Sequence, residues 1–139
     1  MLRKSKLLTA CLVLFLSCSK GPSDEFVKRV QQPTTNQLDR IKPGLEKGFV
    51  LQPPAYTVKS KSHNSAYYIV TRLQGPGVSA FAAWCISGEP TAESGIVLSA
   101  NNVAAEFSQW PKGSETKADA WITDPDCSNL LDYANGKNK

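Results

Sequence analysis

The chain has 139 residues, 41% of them hydrophobic and 20% charged, with a formal net charge of +4 and a single histidine. That is enough chain for one hydrophobic core and too little for two. No Cys/His cluster has the ligand spacing of a zinc site, and no glycine-rich phosphate loop of the usual patterns occurs, so metal and nucleotide cofactors are not expected.

The first six residues carry Arg3, Lys4 and Lys6 and no acid, and Leu7 to Leu16 is almost wholly apolar. A positive start followed by an apolar run of this length is the pattern of an export signal, too short to span a bilayer as a helix. Phe15-Leu16-Ser17-Cys18 resembles the lipobox of bacterial lipoproteins, in which a small-residue site precedes a cysteine that is lipidated and becomes the first residue of the mature chain. Leu8-Thr9-Ala10-Cys11 matches that pattern better letter by letter. Cleavage there would leave only Leu7 to Ala10 as the apolar run and Leu12 to Leu16 as an exposed stub, so Cys18 is the preferred lipidation site. An ordinary secretory leader with an incidental cysteine is the alternative; Ser19 to Ser23 supply the polar tether a lipoprotein needs. The resemblance covers positions 1–23. It implies acyl chains, palmitate among them, on Cys18, a membrane anchor at the cell envelope, and sorting to the outer membrane if the host is Gram-negative, since Ser19 follows the cysteine. The expected organisation is a signal peptide over 1–17, a polar tether over 18–33 and one globular domain over 34–139.

Removing the leader takes Arg3, Lys4 and Lys6 with it and leaves 13 basic residues against 12 acidic. The basic character thus belongs largely to the leader, and no nucleic-acid footprint survives. What remains is uneven: residues 19–72 carry nine bases and four acids, residues 73–139 four bases and eight acids, with no Lys or Arg between Leu73 and Pro111. Cys85 and Cys127 are then the two cysteines left, the number a disulfide needs in an oxidising compartment. Such a bridge would close a loop of 43 residues, with a chain-entropy contribution of at most roughly 4 kcal/mol. Two buried free thiols are the alternative.

Along the domain, "TTNQLDRIKPG" opens with a capping-box pattern, Thr34 to Gln37, and carries Leu38, Ile41 and Leu45 on one stripe; Pro43 should end it. A short helix over 35–42 follows, preceded in the tether by one weakly amphipathic stretch, Glu25 to Val30. Phe49 to Leu51 reads as extended up to Pro53-Pro54, which cannot sit inside a central strand. Tyr56 to Lys59 alternates, "SHNS" marks a turn, and Ala66 to Gln74 is rich in β-formers up to the break at "GPG". Ser79 to Ile86 and Ile96 to Leu98 complete an antiparallel meander of about four strands around the loop "SGEPTAESG". "SANNVAAEFSQWPKG" reads as a helix capped by Asn101 or Asn102, with Val103, Phe107 and Trp110 on one face, ended by Pro111 and Gly113. Ala120 to Ile122 reads as a last short strand, and Asp124 or Asp126 caps a final helix with Cys127, Leu130, Leu131 and Tyr133. The expected fold class is α+β, one small antiparallel sheet with helices packed on one face.

Candidate chemistry is sparse. His63 lies in the polar turn "KSKSHNSAYY", where a solvent-facing histidine is the simple reading and a Ser–His–acid triad would have to be built around it. Glu89 and Glu93 share one loop and Glu106 lies on a helix; paired-acid hydrolysis would need them fixed across a cleft. "DPDCSN" lacks the glycine and distal glutamate of a calcium loop, which leaves helix capping. Tyr67 and Tyr68 are adjacent in a strand, so their rings point to opposite faces, as do Phe81 and Trp84. One of each pair can then be core while the other is exposed, and with helices on one face only, those of the four on the open face would form a binding surface, partial burial under loops being the alternative. The run from 44 to 110, most specifically Tyr67 to Gly77, loosely resembles small uncharacterised secreted or prophage lipoprotein domains of bacteria, which bring no assigned activity. The expected function is a lipid-anchored, non-enzymatic binding, accessory or exclusion module whose partner is an envelope protein or polymer. The alternative is a small envelope-acting hydrolase or enzyme-inhibitor domain.

Overall fold

The computed structural model describes residues 21–137; the leader and its Cys11 and Cys18 lie outside them. Four strands, β1 (Val50–Lys59), β2 (Ala66–Gly75), β3 (Val78–Ser87) and β4 (Val97–Ser99), form one sheet in that order. Every neighbouring pair is antiparallel. The β2–β3 hairpin is closed by Pro76 and Gly77, with Gly75 opposite Val78 as the last pair and φ +71° at Gly77, a conformation that suits glycine. Pro53 and Pro54 lie inside β1 after all. They are tolerated because β1 is an edge strand and its register shifts between Gln52 and Ala55, so neither proline has to donate to the ladder.

Four short helices cover the sheet: α1 (Asp24–Arg29), α2 (Thr35–Ile41), α3 (Asn102–Phe107) and α4 (Pro125–Ala134). The α+β class is as expected, but the helices occupy both faces. Tyr68, Val70, Ala83 and Cys85 meet Phe26 of α1 and Cys127 and Leu130 of α4. Tyr67, Ile69, Ala82 and Trp84, at the alternate positions, meet Ile41 of α2 and Ala104 of α3. The reason is in the run "YYIVT": both parities are apolar, so either face left open would expose large side chains to water. The expected aromatic surface therefore does not exist. Tyr68 and Trp84 are fully buried, Tyr67 is buried, and Phe81 is half-buried beneath the Arg72 guanidinium, 4.6 Å from its ring centre.

Residues 23–33 are part of the folded unit rather than a tether. Ser23 Oγ accepts from Phe26 N and caps α1, Phe26 is 4% exposed in the core, and Gln31 exchanges both backbone hydrogen bonds with Thr57 on the outer edge of β1. One aromatic in a polar stretch supplies the burial, and the free edge of β1 supplies the pairing.

Helix α3 ends at Phe107, short of Pro111, because the chain beyond it is used elsewhere. Ser108 is extended and bridges Leu45, and Gln109 N donates to Gly44 O. Trp110 Nε1 donates to Ile41 O, and its ring lies so close to Gly44 that a Cβ there would sit 2.4 Å from it. The strand expected at 120–122 is absent: Ser99 N at the outer edge of β4 already bonds Pro111 O, and Ala120 instead plugs the core. Replacing Phe26 with alanine should lower unfolding free energy by about 3 kcal/mol in urea titration. A tether residue would change it by no more than roughly 0.5 kcal/mol.

Candidate functional site

Helix α2 begins with the expected capping box: Thr34 Oγ1 accepts from Gln37 N, and Gln37 Oε1 accepts from Thr34 N. One turn on, Arg40 is carried inward and is only 7% exposed. Its Nη1 donates to Ser87 O at 2.7 Å and its Nη2 to Ile96 O at 3.2 Å, so the guanidinium clasps the two ends of the loop 88–95. The same helix start holds the loop itself, Thr34 Oγ1 donating to Pro90 O and Asn36 Nδ2 to Thr91 O. Gly95, at φ +143°, lets the loop close over the guanidinium; a Cβ there would sit 2.7 Å from Arg40 Nη2.

Between α2, the loop and Trp110 lies an open cleft of ≈ 440 Å³, inside the range of roughly 300–1,000 Å³ typical of small-molecule sites. Arg40, Asn36, Asp39, Glu93, Val97 and Trp110 contribute to its lining. Its electrostatics are unusual. Among the described residues no carboxylate comes within ion-pair distance of Arg40, and Arg40 Nε is buried without an acceptor. Desolvation lowers the pKa of this arginine, yet a guanidinium stays charged in proteins. Asp39 is paired with Lys42 at 3.0 Å, and Glu93 is exposed with no cation beside it among the described residues. The cleft thus has a cationic floor and an acidic rim.

A second polar cluster forms where β1 turns into β2. Ser60 Oγ accepts from Ser62 N and His63 N, which shapes the turn and half-buries His63 with Nε2 3.5 Å from Asp124 Oδ2. His63 is therefore not the solvent-facing loop residue the sequence implies; its partner is 61 positions away, a pairing no local pattern signals. Asp124 also accepts from Tyr68 OH at 2.8 Å and, through Oδ1, from Asp126 N, so it is the cap of α4. Burial would raise the Asp126 carboxyl, but hydrogen bonds from Arg29 and from Lys61 N, with their charge, bring it below the usual carboxylate range.

The expected Cys85–Cys127 bridge is not present. Both residues are free thiols, buried in the same apolar cluster under α4, and Cys127 Sγ lies 3.8 Å from Ala100 O. Burial, with Asp124 nearby, pushes the Cys85 thiol up to about 12 and raises Cys127 as well. Disulfide chemistry proceeds through an accessible thiolate, and this site disfavours both the charge and the access. For the same reason Cys85 beside His63 is the opposite of an activated nucleophile. Glu89, Glu93 and Glu106 do not converge: Glu93 reaches the cleft, while Glu89 and Glu106 are exposed and outside it.

Arg40, Asn36 and Trp110 are the site residues that sequence reasoning missed. No local signal marks them: Arg40 bonds backbone carbonyls 47 and 56 positions away, and the capping box only places it one turn inside a helix. Among the described residues no group of three or more His, Cys, Asp or Glu could hold a metal ion, and no helix is long and apolar enough to cross a membrane. No protein-family model, curated protein or solved structure matches the chain.

Two outcomes follow for the buried groups. A carboxyl held low in the fold stabilises it above the ordinary aspartate range, and that contribution disappears as pH falls through the lowered value. Asp126→Asn should therefore flatten the acid side of the stability profile and cost least at the lowest pH, measured by denaturant titration. Thiol titration should find Cys85 and Cys127 almost unreactive in the native protein at pH 8 and both reactive once it is unfolded without reductant; a bridge would leave neither.

Proposed function

We propose that this chain is a lipid-anchored cell-envelope protein whose folded domain is a binding module, and that the cleft over Arg40 receives an anionic group of its ligand. The observation that carries the binding reading is the buried Arg40 guanidinium. It has hydrogen-bond capacity to spare and no counter-ion within ion-pair distance among the described residues, and it floors an open cleft. A buried charge is costly unless paired, and a ligand carboxylate is the group a guanidinium matches best.

Support for the anchor comes from the sequence: the apolar run, the small-residue site and Cys18, followed by Ser19. The folded α1 adds a distance. Only six peptide steps separate Cys18 from Asp24, a reach of about 20 Å fully extended. An acylated Cys18 would hold the domain close to the membrane surface rather than on a long leash.

The second reading, a small hydrolase or inhibitor acting on envelope material, is favoured by the His63–Asp124 pair. Against it, Asp124 is committed to Tyr68 and to the helix cap, and the nearest cysteine is held as a thiol.

Metabolic labelling with an alkyne fatty acid should mark the wild-type protein and leave Cys18→Ala unmarked, with mass spectrometry of the mature N-terminus giving an acylated Cys18. An unmodified Cys18 would remove the anchor. For the cleft, titration with sodium acetate should shift the Gly95 amide resonance in NMR spectra of the wild-type protein.

A further inference from the structure

The cleft offers more than a cationic floor. Glu93 and Asp39 stand on its rim, and Trp110 lines it. The Trp110 indole N–H is already committed to Ile41 O, so in the cleft the ring acts as an aromatic surface and not as a donor. Asp39 is taken by Lys42, which leaves Glu93 as the free carboxylate of the rim, and a carboxylate in one cleft with an aromatic ring is a place for an ammonium group. Arg40 lines the cleft, and each of its terminal nitrogens has a second N–H beyond the one given to a carbonyl, which makes it a place for a carboxylate. A purely anionic ligand would pair with the floor and be repelled by the rim; a purely cationic one would meet the reverse.

We propose that the ligand of this cleft is a small zwitterion of the amino-acid type, its carboxylate on Arg40 and its ammonium between Glu93 and the Trp110 ring. The inference rests on the anionic-group reading of the cleft and specifies its chemistry. Val97 and Pro43 supply an apolar wall for a side chain. The fixed parts are rigid: Arg40 is clasped, Trp110 is seated on Gly44, and Gly95 admits no larger residue. Glu93, being exposed and in no ion pair among the described residues, is free to turn toward a bound cation.

The test is calorimetric titration of the full-length protein with three probes: L-leucine, N-acetyl-L-leucine and L-leucinamide. L-leucine should bind, with each single-charge probe weaker by about tenfold, the size expected for one ammonium contact or one charge-assisted pair. Glu93→Gln, at an exposed position that the fold does not use, should remove the preference for L-leucine over N-acetyl-L-leucine, weakening the former and, with the rim's repulsion relieved, strengthening the latter. Gly95→Ala should weaken all carboxylate probes. Equal binding of L-leucine and N-acetyl-L-leucine by the wild type would overturn the zwitterion while leaving the anion cleft intact. Binding by neither would overturn both. Equal loss of the two probes in Glu93→Gln would also sink the assignment of the ammonium to the rim.

Discussion

Strand β2 carries large apolar side chains on both of its faces, and the remaining layers answer that constraint. Tyr67 and Ile69 point one way, Tyr68 and Val70 the other, and neither set can be left in water without losing about 1.5–3 kcal/mol per large side chain. The cover is thin: four helices of six, seven, six and ten residues. Helices this short do not hold in isolation. Each of them has a side-chain cap, and three of the caps do a second job. Asn101 Oδ1 accepts from Ala104 N in α3 and also from Ala83 N in β3. Asp124 caps α4 and receives the buried Tyr68 hydroxyl. Thr34 caps α2 and donates to the loop at Pro90. Helix initiation and docking to the sheet are thus carried by the same side chains, which is how short segments become part of one cooperative unit.

The uneven charge of the sequence acquires a structural meaning at Arg40. The stretch from Leu73 to Pro111 contains three glutamates and no base. Its loop is fixed by a cation from α2, whose guanidinium bonds backbone carbonyls rather than the glutamates. The carbonyls of Ser87 and Ile96 are satisfied, the loop is closed, and Glu93 is left unspent at the cleft rim. Had Arg40 paired with Glu93, the same loop would be equally well fixed and the cleft would carry no free charge of either sign.

Much of the architecture was legible in the sequence. The meander, the "GPG" hairpin, the capping box at Thr34 and the Asp124 cap rest on local chemistry, and local chemistry is what a sequence displays. The errors are all non-local. Pro53-Pro54 looked like an interruption because edge position is a property of the sheet, not of the strand. The stretch Glu25 to Val30 reads as tether because the partners of its Phe26 lie far along the chain, on β1, β2 and α4. The aromatic strip combines correct strand parity with an incorrect count of covered faces; periodicity gives the apolar stripes of the helices that carry Ile41 and Ala104, but not which face of the sheet those stripes cover. Two cysteines in an oxidising compartment imply a bridge, but their surroundings, visible only in three dimensions, disfavour the reactive form. The candidate site was the least legible part, since Arg40 differs from any surface arginine only in what closes over it.

The two buried polar clusters differ in a way that separates joint from site. Around Asp124 and Asp126 the acceptors are used: a phenol, a histidine, an arginine, a turn amide and a helix amide converge on two carboxylates. These carboxylates are committed to the fold, and the cluster ties α1, the β1–β2 turn and α4 together. Around Arg40 the balance is reversed. Donors exceed acceptors, the spare capacity is shielded from water, and the opening beside it is large enough for a small molecule. Closing the loop accounts for burying the guanidinium, but not for leaving it without a counter-charge when a glutamate stands at the rim. A ligand that brings its own carboxylate gives one, and its binding would return to the fold the counter-charge that the chain itself withholds.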